Sequence, residues 1–69
     1  MQEFYKKSLH KPVAVGIKHF ENPHRIYWVY GNLLEVTRVG LVISSRNGFR
    51  RIDFEDIKAF HLDKGRGGY

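Results

Sequence analysis

Two alternating runs separated by an Asn-Gly pair constrain this chain more than any other feature. Leu41 to Arg46 and Phe49 to Phe54 flank Asn47-Gly48, and both turn residues tolerate the positive φ that a type I′ hairpin loop requires. With Asn47 and Gly48 as the central residues, Arg46 faces Phe49, Ser45 faces Arg50, Ile43 faces Ile52 and Leu41 faces Phe54. Side chains directly opposite one another share a face of the sheet. Leu41, Ile43, Ile52 and Phe54 therefore form one apolar face, with Arg50 at its rim, while Arg46, Phe49 and Arg51 point outward. Glu55-Asp56 then makes a corner into a further strand, Ile57 to Leu62. The expectation is a small, tightly bent β-domain.

A chain of 69 residues is expected to be one domain or part of an assembly and buries only about 60% of its unfolded surface. It has no cysteine, so disulfides and thiolate zinc sites cannot staple it. Oligomerisation or an aromatic-dense core must compensate, and aromatic residues make up 14% of the chain. Lys and Arg number 12 against 7 Asp and Glu, a formal charge of +5, which favours polyanionic partners. No apolar run has the length of a membrane span, and the amino terminus lacks the order of a secretory signal. A cytoplasmic protein without a membrane partner is expected.

Residues 1–11 read as a short amino-terminal helix or arm that docks through Phe4 and Leu9, ending at Pro12. Val13 to Phe20 alternates as a first strand, in which Gly16 marks a close backbone approach. Arg25 to Arg38 is β-rich but long for a strand, so a bend or short hairpin is expected at Gly31-Asn32. Residues 12–62 form the β-domain, and the glycine-rich tail 63–69 is expected to be flexible.

The helix, about five bent strands, and the ending Arg51-Ile52-Asp53-Phe54-Glu55-Asp56-Ile57-Lys58-Ala59-Phe60 resemble the Sm-like or SH3-like small barrel plan. The corner Ile52-Asp53-Phe54-Glu55-Asp56-Ile57 is similar to that of YolD-like bacterial proteins. The resemblance implies a mainly β, five-stranded barrel, and Sm-like membership would further imply ring assembly and RNA binding at loops. The loop motifs by which Sm-type proteins hold RNA have no counterpart at Glu35 to Gly40. Before the last strand stand two carboxylates, Glu55 and Asp56, which repel phosphate.

Arginines flanking an outward aromatic suit phosphate contact and base stacking, so the candidate nucleic-acid surface is Arg46, Phe49, Arg50 and Arg51. Lys6, Lys7, Lys11 and Arg66 extend it. The same arginines also fit a plainer role, protecting a hairpin edge from aggregation. In Arg25 to Tyr30, Tyr27 lies on one face and Ile26, Trp28 and Tyr30 on the other, so one set is outside. Placing Trp28 in the core leaves Tyr27, with Tyr30, Phe49 and Phe60, as anchors for a protein partner.

His10, His19, His24 and His61 lack ligand spacing, so no metal is expected. Glu55 and Asp56 are adjacent and diverge on a strand. With no phosphate loop or activated nucleophile, neither catalysis nor a cofactor is expected. The reading is a basic, non-enzymatic module that associates with RNA or DNA. The alternative is a protein-interaction module that self-associates or docks on a larger protein, such as an accessory factor or inhibitor encoded by a phage or mobile element.

Overall fold

The structure, a computed structural model, describes residues 2–22 and 24–63. It contains a helix α1 (Gln2–Lys6), strands β1 (Pro12–Lys18), β2 (Ile26–Val36), β3 (Gly40–Ser45) and β4 (Gly48–Asp53), a 3-10 turn (Phe54–Asp56), and β5 (Ile57–Leu62). The protein is mainly β, as its patterning predicts. All five strands form one antiparallel sheet in the order β4-β3-β2-β1-β5.

The inner face follows the period of two. Val13 and Val15 on β1, Val29 and Leu33 on β2, Leu41 and Ile43 on β3, and Ile52 on β4 form the buried cluster. Burial of each such side chain contributes roughly 1.5–3 kcal/mol. β2 serves two partners: residues 26–32 pair with β1, while residues 32–36 pair with β3. Its irregularity lies between Leu33 and Glu35. The strand thus continues through Gly31-Asn32, where the sequence suggested a bend.

The hairpin forms, but its register differs by two residues from the Asn-Gly expectation. Leu41 pairs with Ile52, Ile43 with Arg50, Ser44 with Phe49 and Ser45 with Gly48, so Arg46 and Asn47 make the tip. Among the described residues only His10 and Gly48 have positive φ, which excludes a type I′ turn at Asn47. Gly48, at φ 109°, takes the left-handed position that follows a type I turn in hairpins of this kind. A slip of two preserves every face assignment, whereas a slip of one would invert them.

The expected barrel closure is not realised; the sheet is open. β5 adds to β1, and β4 and β5 remain the two edges. The slipped register ends the β3–β4 ladder at Gly40 and Asp53 and releases Phe54 into the turn, where its N–H donates to the Val39 carbonyl at 2.9 Å. Tyr5 then stacks on Phe54 at 5.2 Å and meets Phe60 of β5 edge-on at 4.9 Å. An aromatic wedge from α1, not a hydrogen-bonded ladder, joins the two edges. The connection after α1 is tied down where the His10 N–H donates to Leu33 and the Leu33 N–H donates to Lys11.

Candidate nucleic-acid interface

The hairpin presents its basic side chains on an edge strand. β4 is exposed at every position except Ile52. Period-two alternation divides it into two surfaces. Phe49 and Arg51 oppose Ser44 and Val42 on the outer face, whereas Arg50 opposes Ile43 on the inner face.

Arg50 projects beyond the core and lies over the Tyr27 ring, its guanidinium carbon 5.2 Å from the ring centroid. Tyr27 shares the inner-face parity of Val29 and Leu33 but sits at the open end of β2, half exposed at 50%. A guanidinium over an aromatic face is held by the ring quadrupole and keeps its charge. Phe49 is 78% exposed, so its ring is available to a partner. Arg46 occupies the tip. The structure thus brings Arg46, Phe49, Arg50 and Arg51 onto one hairpin edge, with Tyr27 as an added member.

The lysines belong elsewhere. Lys6 ends α1, Lys7 follows it, and Lys11 lies in the connection bonded to Leu33; all three are exposed. Arg66 lies outside the described residues.

The other aromatic assignments change. Trp28 is not in the core; it shares the outer face with Ile26 and Tyr30 and is 37% exposed. The sequence carried a signal for this. Tyr27, Val29, Gly31 and Leu33 continue one apolar parity, while Ile26, Trp28, Tyr30 and Asn32 end in a polar residue. Tyr30 is half-buried. Phe60 packs against the core under Phe4 and Tyr5, with ring centroids 5.8 and 4.9 Å away, which leaves little of it for a partner.

Sequence reasoning did not single out Phe20, which is 97% exposed in the β1–β2 loop. Beside it the His19 Nδ1 accepts the backbone N–H groups of Glu21 and Asn22 at 3.2 and 3.1 Å. Among the described residues no group of three or more His, Asp and Glu side chains gathers to hold a metal, and no helix is long and apolar enough to cross a membrane.

No protein-family model, curated protein or solved structure matches the chain.

Proposed function

We propose that this protein is a small non-enzymatic module that associates with nucleic acid along the β4 hairpin edge. The observation that carries the reading is the arrangement of Arg50 on Tyr27 next to exposed Phe49 and Arg51. Arg46, Arg50 and Arg51 contact phosphates, and Phe49 stacks on an unpaired base. The formal charge of +5 supplies long-range attraction.

Fluorescence anisotropy with a labelled single-stranded oligonucleotide tests this across a salt series. Each phosphate contact on a single strand contributes a slope of about −0.7 in log affinity against log salt, so three arginines give about −2. Replacing all three by Ala should remove that part of the slope. Affinity indifferent to salt would overturn the proposal.

A protein partner is the second reading, favoured by Phe20, which stands 97% exposed beside the His19 turn, since exposed aromatics are frequent in protein interfaces. In that case light scattering would show self-association that Phe20→Ser abolishes, with no oligonucleotide binding.

A further inference from the structure

The outer face of β2, β1 and β5 is a second exposed surface, separate from the hairpin edge. Register places Tyr30, Ala14 and His61 in one row across it, Trp28, Gly16 and Ala59 in the next, and Ile26 with Lys18 beyond. α1 packs against Phe54 and Phe60, on the inner side.

Gly16 is the floor of this face. A Cβ there would stand 2.7 Å from Ile26 Cγ2, 3.3 Å from Ala59 Cβ and 3.3 Å from Trp28 Cη2. The missing side chain lets the indole reach across β1 to His61 on β5, against which it stacks at 5.9 Å with the planes 27° apart. Trp28 thus lies over the sheet and does not stand upright in solvent.

The charge of these rows suits an anionic occupant. Their side chains carry one cation, Lys18, and no carboxylate, and Glu35 stands farther along the same face, opposite Val42. The face is also continuous with the hairpin: Phe49 opposes Ser44, Ser44 opposes Asn32, and Asn32 lies two and four residues from Tyr30 and Trp28. Phe49 and Trp28 therefore occupy one face of one sheet.

We infer that Trp28, supported by Gly16 and His61, is a stacking platform for an unpaired base of a single-stranded nucleic acid whose backbone also engages the hairpin arginines. The inference rests on the nucleic-acid reading above and specifies single strands, because a paired base cannot offer its face to a sheet.

Trp28 is the only tryptophan in the chain, so its fluorescence reports on this site alone. An unlabelled oligonucleotide is titrated while indole emission is followed, and anisotropy with a labelled copy measures binding in parallel. Single strands should quench Trp28 and the matching duplex should not. Trp28→Leu should weaken single-strand binding by about 5- to 150-fold, the range for loss of one stacked base. Salt-dependent binding without quenching, and with Trp28→Leu binding like the parent, would overturn the platform and leave the hairpin reading standing. Absence of binding by anisotropy would overturn both. If Trp28→Leu loses its folded circular dichroism spectrum, the quenching of the parent protein decides the matter.

Discussion

Gly31 lies in β2 where β1 and β3 both approach, and replacing it with alanine tests the packing of the sheet centre. A Cβ built at Gly31 falls 2.6 Å from Ile43 Cγ2 and closer still to the Ser44 carbonyl oxygen. Carbon atoms at rest are about 3.5–4.0 Å apart, so Ile43 would have to retreat by about 1 Å. Ile43 is fully buried and has nowhere to retreat. The Ser44 carbonyl belongs to the backbone of β3, which is paired here to Asn32, so it cannot move without disturbing the ladder. Overpacking of this kind costs about 1–3 kcal/mol and sometimes more. Alanine restricts the unfolded chain relative to glycine and offsets about 0.4–1 kcal/mol of that. The net expectation is a loss of about 1–2 kcal/mol from a total of roughly 3–10 kcal/mol for a domain of this length. With a urea dependence of about 1 kcal/mol per molar, the midpoint of unfolding should drop by about 1–2 M. The thermal midpoint followed by circular dichroism should fall by about 4–16 °C. A Gly31→Ala protein whose urea midpoint matches the parent would refute the close approach of β2 and β3 at this point, and with it the pairing of Asn32 with Ser44.

Two further outcomes are expected. Gly48→Ala meets no atom within 4 Å, yet must hold φ near 109°; the cost is purely conformational, about 1–2 kcal/mol by analogy with a left-handed residue, and Gly48→Asn should lose less in the same melt, whereas an alanine variant as stable as the parent would argue for a different turn. Arg50→Lys combined with Arg51→Lys keeps the edge cationic and the protein soluble, but forfeits planar donors, so single-strand affinity should fall about fivefold per position, equivalent to about 1 kcal/mol each; an unchanged affinity would reduce these arginines to edge protection.

How much was legible depended on which property set each feature. Side-chain parity was readable in β1 and in the hairpin because a period of two follows from the pleat itself. Gly16 was recognised as a close approach for the same reason: it interrupts the face opposite Val13, Val15 and Ile17. Register was not readable. Asn47-Gly48 suits an I′ turn, but Gly48 can equally serve as the left-handed residue after a turn centred on Arg46 and Asn47, and local sequence does not separate these options. What tips the balance is tertiary: the slip frees Phe54 to stack on Tyr5, a residue nearly fifty positions away in the chain. Gly31 was misread as a bend because glycine signals both bends and close approaches. The real irregularity near Leu34 carries no glycine or proline and leaves no mark in the sequence. Closure failed as an expectation for a related reason. Whether two edges pair depends on what α1 inserts between their ends, and five helical residues gave little warning of that role.

The two exposed features on this small sheet do not weigh equally as evidence of function. Any open sheet must guard its edges, and cationic side chains on β4 would do so whether or not a ligand exists. The arginines are therefore compatible with folding needs alone. The centre of the outer face carries less of that obligation, because β1 is paired on both sides, to β2 and to β5, and Trp28 lies over it. Serine, threonine or lysine at position 28 would satisfy the fold there. Instead the largest side chain in the repertoire lies across a glycine whose missing side chain admits it, and stacks on a histidine from the far strand. In a 69-residue chain with little apolar area to spare, aromatic surface left outside the core contributes less to stability than it would inside. Trp28 therefore adds to the hairpin arginines a second, independent contact, and Trp28→Leu tests it on a face where edge protection is not a competing explanation.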